Sequence, residues 1–235
     1  MLELPVAGGN DTCEVRPSKI IALGLNYDDH VKESEFLLTN NYSPERPKEP
    51  VLFPKTPNVL TGPEQPIIIP AFLREYEFKD LRIDYEAELA VIIKDRCRNV
   101  PEDEAYAHVF GYTCFNDVSQ RNFQNSDQSG WFRGKSLDTF GPIGPVVVPH
   151  EDIGDPQNLH ISCRLNGETV QDSNTKMMIF SISETIAFIS RHFTLEAGDI
   201  IATGTPKGVG RVHHGDVVEI EIENIGILRN PVVEE

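Results

Sequence analysis

Asp84-Tyr85-Glu86-Ala87-Glu88-Leu89-Ala90-Val91-Ile92-Ile93 ends in an apolar, β-branched run and is bounded by charged turns. It reads as a strand entering a core. Side chains alternate faces along a strand, so Glu86 and Glu88 project from one face, their attachment points roughly 6–7 Å apart. Two ionised carboxylates about 6 Å apart repel by roughly 3 kcal/mol at an effective dielectric of ~20, and desolvation beside the apolar run adds to that cost. A bound divalent cation reverses the sign, and hard cations take oxygen ligands. The stretch is therefore either a strand end with two solvated acids or part of a cation site.

Upstream, residues 19–25 form a short apolar strand that stops at a glycine. In the segment that follows, Asn26 or Asp28 caps a short helix. On that helix His30 and Glu33 are neighbours one turn apart, either a surface ion pair or a general base with its orienting carboxylate. Residues 39–50, rich in Asn, Pro and charge, read as a loop, and 26–49 together suit a lid. Val51-Leu52-Phe53 is strand-like, with Pro54-Lys55-Thr56-Pro57 expected to break it; Lys55 carries no signal of its own.

Downstream, Pro101 and three acids open an expected helix over 101–110 that ends at Gly111. Tyr112-Thr113-Cys114-Phe115 reads as a strand leading into Asp117, which is either an N-cap or a functional side chain at a strand-to-helix turn. Asn166-Gly167 marks a two-residue hairpin. Ser181-Ile182-Ser183-Glu184 has capping-box spacing, and Ile182, Ile186 and Ile189 follow at helical spacing, which predicts a helix over 182–191. The run Gly204-Thr205-Pro206-Lys207-Gly208-Val209-Gly210 lacks both phosphate-loop patterns, yet its amides suit a carboxylate.

Lys plus Arg total 21 against 37 for Asp plus Glu, a net charge of −16 over 235 residues. That balance excludes a nucleic-acid or anionic-membrane surface and suits an enzyme of small molecules. The four cysteines are scattered, with no metal or dithiol spacing. No apolar run reaches the ~18 residues of a membrane span, and no leader is evident, so the expected compartment is a reducing cytoplasm. The chain shows no clear linker. The expectation is a β-rich α+β fold with few short helices, organised as a small N-terminal subdomain (1–60) and a catalytic domain (61–235).

Seven segments in order carry a resemblance to the fumarylacetoacetate hydrolase family. They are Gly24-Leu25-Asn26-Tyr27 with His30 and Glu33; Glu86-Ala87-Glu88-Leu89; Asp117-Val118-Ser119-Gln120-Arg121; Gly134-Lys135-Ser136; Asn166-Gly167-Glu168; Met178-Ile179-Phe180-Ser181; and Gly198-Asp199-Ile200-Ile201 through Gly210. The resemblance implies a mixed β-sandwich roll, a homodimer, and Mg2+ as cofactor, with Mn2+ or Ca2+ able to substitute. It implies Glu86, Glu88 and Asp117 as metal ligands. Lys135 lies by metal and substrate, and Thr205 and Gly204 hold the substrate carboxylate. Arg121 and Gln124 face the site, and His30 with Glu33 activates water. The implied reaction is hydrolysis or lysis of a C–C bond in a 2-oxo or 2,4-dioxo acid through a metal-stabilised enolate. The alternative is an isomerase or decarboxylase of the 2-hydroxyhepta-2,4-diene-1,7-dioate type. Two rivals from other classes are a protein that sequesters 2-oxo acids and a structural Ca2+-binding protein; retention of Lys135 and of the His30/Glu33 pair favours the enzyme.

Overall fold

The computed structural model describes residues 2–33, 46–128 and 130–235, so the expected lid over 26–49 lies partly outside the described residues. The run Ala87–Ile93 forms a strand with all seven residues buried. Leu89, Val91 and Ile93 face one hydrophobic cluster, while Ala90 and Ile92 face another. This is period-2 alternation with apolar residues on both sides, as in a strand covered on both faces. The strand lies antiparallel to Val109–Asn116 on one side and to Ile200–Ala202 on the other.

Among the described residues the resulting sheet has seven strands, in the order Val51–Lys55, Ile20–Gly24, Ile200–Ala202, Ala87–Ile93, Val109–Asn116, Gly141–Pro149 and Leu60–Thr61. Residues 1–60 thus contribute strands to the sheet that carries the acidic stretch. A second sheet holds Glu168–Asn174, His160–Leu165, Val217–Ile222, Gly226–Glu234 and Ile67–Ile69 in that order. Its Ile161, Ile220 and Leu228 share a cluster with Leu89 and Val91. Ile186 and Ile189 of the helix Ile182–His192 join the same cluster. The expected strand-rich fold with few short helices is what forms.

Local signals decide several elements. Both halves of the Ser181/Glu184 capping box are made, and the helix starts where the spacing predicts. Asn166 and Gly167 turn the hairpin with φ of 54° and 85°, both left-handed, as a twisted two-residue hairpin requires. Three expectations are corrected. Pro54 does not break its strand, because Val51–Lys55 is the sheet's edge and a missing N–H costs nothing there. Over 101–110 the chain forms a 3-10 helix, Glu102–His108, and the strand Val109–Asn116 then runs straight through Gly111. A side chain at Gly111 would put Cβ 2.4 Å from the Val148 carbonyl oxygen, so this glycine permits strand contact instead of ending a helix. Asn26 does not cap the helix Asp28–Glu33. It ties distant loops together, donating to the Thr203 carbonyl at 2.8 Å and accepting from the Phe180 N–H at 2.8 Å.

Candidate active site

Glu86 sits where the chain leaves one sheet and enters another. Ile83–Tyr85 belongs to a small sheet with Ser119–Gln120 and Gly210–Arg211, and Ala87 begins the seven-stranded one. The Glu86 N–H donates to Asn116 Oδ1 at 3.0 Å, and the Asp117 N–H donates to the Glu86 carbonyl at 3.0 Å. These two bonds lock Glu86 beside Asp117. Glu88 follows two residues on, and the three carboxylates each offer an oxygen within 4.8 Å of the others. All three are buried. The triad named from sequence is assembled.

Ionised carboxylates at that spacing repel by about 3 kcal/mol per pair at an effective dielectric of ~20, so counter-charges are needed. Lys135 Nζ bridges Glu86 Oε2 at 2.8 Å and Asp117 Oδ2 at 2.7 Å. Arg121 donates to Glu86 Oε1 at 2.6 Å, to Asp84 at 2.8 Å and to Gln124 Oε1 at 2.8 Å. Lys55, which carried no sequence signal, is a further counter-charge: its buried ammonium lies 2.6 Å from Asp117 Oδ1. The one available hint was strand parity. Phe53 and Lys55 share a strand face, and Phe53 belongs to the core.

The balance differs from one acid to the next. Burial pushes the Glu86 carboxyl up, but the charges of Lys135 and Arg121 outweigh it and hold the group well below the usual range. Burial pushes Glu88 up too, and the charges of Asp117 and Glu86 push it further, so it stands well above that range. Burial alone would depress Lys135, yet Asp117 and Glu86 keep its pKa raised. Lys55 has the opposite outcome: burial outweighs Asp117, and its pKa is lowered.

Glu88 Oε2 accepts from the Gly204 N–H at 2.9 Å, while among the described residues no donor reaches the buried Oε1. A buried carboxylate oxygen without a partner is costly and calls for an occupant. Three carboxylates, one with an oxygen unengaged, form the all-oxygen donor set that hard divalent cations take. The residues present fit a metal ion.

A cavity of about 250 Å3 opens beside the triad, lined among others by His30, Glu33, Glu86, Arg121, Lys135 and Thr205. Gln124 lines it as well, with Phe53 and Trp131 forming an aromatic wall. Glu88 and Asp117 lie beneath the lining. Gly204 also stays outside it, its N–H taken by Glu88. The expected dyad is formed: His30 Nδ1 lies 3.2 Å from Glu33 Oε1, and among the described residues Nε2 has no hydrogen-bond partner. Besides Lys55, sequence reasoning missed Asp84 and Gln171. Both are buried; Gln171 meets only distant partners, and Asp84 pairs with Arg82 two positions away as well as with the distant Arg121.

The fold is strand-rich and carries, beside this cavity, a buried acidic triad that could hold a metal ion. The model described as fumarylacetoacetate (FAA) hydrolase C-terminal matches residues 19–233, and the chain belongs to that family. It is 40% identical over 225 residues to the oxaloacetate tautomerase Fahd2a, mitochondrial, of Rattus norvegicus, which spans 93% of this chain and 67% of the relative. The structure of fumarylpyruvate hydrolase from Pseudomonas aeruginosa, in complex with Mn2+ and pyruvate, is similar at a TM-score of 0.85 and 30% identity, covering 100% of this chain and 96% of that one. The 5-carboxymethyl-2-hydroxymuconate delta-isomerase from Mycobacterium smegmatis is similar at 0.80 and 37% identity, covering 94% and 80%. Members of this family are enzymes, and the first of these two structures holds a divalent metal.

Proposed function

We propose that the chain is a divalent-metal-dependent hydrolase or lyase that cleaves a C–C bond in 2-oxo or 2,4-dioxo acids. Acylpyruvates and fumarylpyruvate- or oxaloacetate-like acids are its substrates. Glu86, Glu88 and Asp117 hold the metal, Mg2+ with Mn2+ or Ca2+ as substitutes. The unpartnered Glu88 Oε1 within the buried triad is the observation that carries this reading.

When bound, the metal supplies Lewis-acid stabilisation of negative charge on the substrate's oxygens. The chain supplies the rest. The Lys135 ammonium adds fixed positive charge where an enolate develops, at a position held by two carboxylates. The Thr205 hydroxyl and neighbouring amides hold the substrate carboxylate, and Arg121 and Gln124 line the substrate's course. Glu33 orients His30 through Nδ1. His30 Nε2 then takes a proton from a water that adds to the distal carbonyl. The C–C bond breaks with its electron pair left on the 2-oxo fragment, which becomes the enol or ketone once a proton returns.

A second reading is supported by the isomerase and tautomerase among the similar proteins. In it, the enol oxygen gives up its proton, a carbon of the same molecule gains one as the double bond shifts, His30 carries the proton, and no bond between carbons breaks. We also propose that the chain works in the cytoplasm as a homodimer on small acids and not on nucleic acid or membranes; this rests on the family and on the acidic charge. A metal-titrated panel tests the function: acylpyruvates, fumarylpyruvate, oxaloacetate and hydroxy-dienedioates, followed by NMR for cleaved products. Metal-dependent cleavage supports the main reading. Rearrangement without cleavage supports the second, and no metal-dependent conversion of any of them overturns both.

A further inference from the structure

We propose that Gln171 is a positioning residue that fixes the Thr205 hydroxyl as a hydrogen-bond donor to the anionic group of the substrate. This rests on the reading of the chain as an enzyme of 2-oxo acids. Gln171 is 1% exposed and stands on the strand Glu168–Asn174 of the five-stranded sheet, away from the cavity lining. Its Oε1 accepts from the Ala87 N–H at 3.0 Å, the residue between Glu86 and Glu88. Its Nε2 donates to Thr205 Oγ1 at 2.9 Å and to the Pro206 carbonyl at 2.8 Å.

The orientation of this amide follows from its partners. The Ala87 N–H only donates and the Pro206 carbonyl only accepts, so the oxygen must face Ala87 and the nitrogen must face Pro206 and Thr205. A side-chain amide nitrogen has two N–H donors and no acceptor; here they serve the Pro206 carbonyl and Thr205, with the Lys207 carbonyl a longer third acceptor at 3.4 Å. The Thr205 oxygen is therefore an acceptor toward Gln171, and its single proton has to point elsewhere. Among the described residues Thr205 Oγ1 donates to no neighbour, and Thr205 lines the cavity. A glutamate of the same shape would lack the proton for Pro206 and would draw the Thr205 proton toward itself. Gln171 thus sets the polarity of the carboxylate-binding end of the cavity and ties it to the strand that bears Glu86 and Glu88.

Oxalate, a planar anion, serves as the probe, titrated calorimetrically into the Mn2+-loaded chain. Gln171→Glu keeps the acceptor for Ala87, replaces the donor end by an acceptor and adds a carboxyl charge; Gln171→Met, which removes the donor without adding charge, is read beside it. Each should weaken oxalate by at least about tenfold, the loss of one hydrogen bond to a charged group. Each should also raise KM for a 2-oxo acid more than it lowers kcat, with Mn2+ affinity unchanged. Thr205→Val should weaken oxalate comparably, and the double variant should be no weaker than Thr205→Val alone, because the two residues act through one hydroxyl. Should Gln171→Glu not fold, Gln171→Met alone carries the same comparison. Unchanged oxalate affinity in either Gln171 variant, or losses that add in the double variant, would overturn the role of Gln171 alone. A wild-type chain that binds Mn2+ but neither binds oxalate nor converts a 2-oxo acid overturns the functional reading, and this proposal with it.

Discussion

The backbone N–H of Gly208 donates to both carboxylate oxygens of Glu33, at 2.8 and 3.1 Å. The same loop donates the Gly204 N–H to Glu88 at 2.9 Å. One short glycine-rich run therefore holds the orienting carboxylate of the dyad near one end and a metal-site carboxylate at the other. Gly208 has φ of +95°, and a Cβ there would lie 2.2 Å from the Val170 carbonyl oxygen. Gly208→Ala must shift the loop and with it Glu33. Since an ångström of misplacement can cost on the order of 100-fold in rate, hydrolysis should fall by about that factor. Mn2+ affinity, read by EPR, should fall much less. An equal loss of both would mean that the loop supports the whole site, with no particular bearing on the dyad.

His30 distinguishes water addition from the steps that need none. His30→Ala should reduce acylpyruvate hydrolysis by about 100-fold or more, the usual contribution of a positioned base. Oxaloacetate decarboxylation, in which CO2 leaves without attack by water, should fall much less. Equal losses on the two substrates would remove His30 as the water-activating base.

Lys55 should matter for both stability and metal. Its ammonium and the Asp117 carboxylate are fully buried against each other. Removing one partner of a buried pair costs roughly 3–5 kcal/mol where nothing else compensates the charge left behind. Lys135 stays on Asp117 at 2.7 Å, so Lys55→Met should lose less than that, about 1–3 kcal/mol in urea unfolding, the cost of an unsatisfied buried acceptor. It should also weaken Mn2+ by roughly 10–100-fold, as loss of a residue supporting a ligand does. A variant as stable as wild type would show that Asp117 does not rely on this counter-charge.

The raised pKa of Glu88 gives the metal-free chain a signed pH dependence. Burial first, then the charges of Asp117 and Glu86, hold this carboxyl protonated above the ordinary range. A group whose folded-state pKa exceeds its unfolded value stabilises the fold below the unfolded value, and that stability is lost as pH rises through the folded value. Glu86, whose pKa is depressed by Lys135 and Arg121 against the effect of burial, acts in the opposite sense: its stability is lost as pH falls through its lowered value. Metal binding needs Glu88 as the carboxylate, so it releases a proton and cancels the high-pH loss. The Tm gap between metal-loaded and metal-free chain should widen as pH rises through the Glu88 titration. A gap that stays constant over that window contradicts this assignment of Glu88.

Much of the fold was legible because it is written in local patterns. The β-branched run 87–93, the Asn166-Gly167 hairpin and the Ser181/Glu184 box each depend on neighbours within a few positions. The triad was legible for a related reason: strand parity aligns Glu86 with Glu88, and the family pattern adds Asp117. What stayed hidden depends on distant partners. Lys55 meets Asp117 across 62 positions and Gln171 meets Ala87 across 84, so neither leaves a short-range trace. The expected helix over 101–110 forms as the 3-10 helix Glu102–His108 and ends before Gly111, because that glycine marks a tight approach between strands, a property of the tertiary packing.

The most direct measurement is the Mn2+ affinity of the wild-type chain and of Glu88→Ala, by EPR of free Mn2+, beside turnover of an acylpyruvate. One Mn2+ per chain in the wild type, weakened by about 100-fold in the variant together with loss of turnover, is the expected result, at or beyond what even a supporting residue costs. Equal Mn2+ affinity in both proteins would mean that Glu86, Glu88 and Asp117 do not form the metal site.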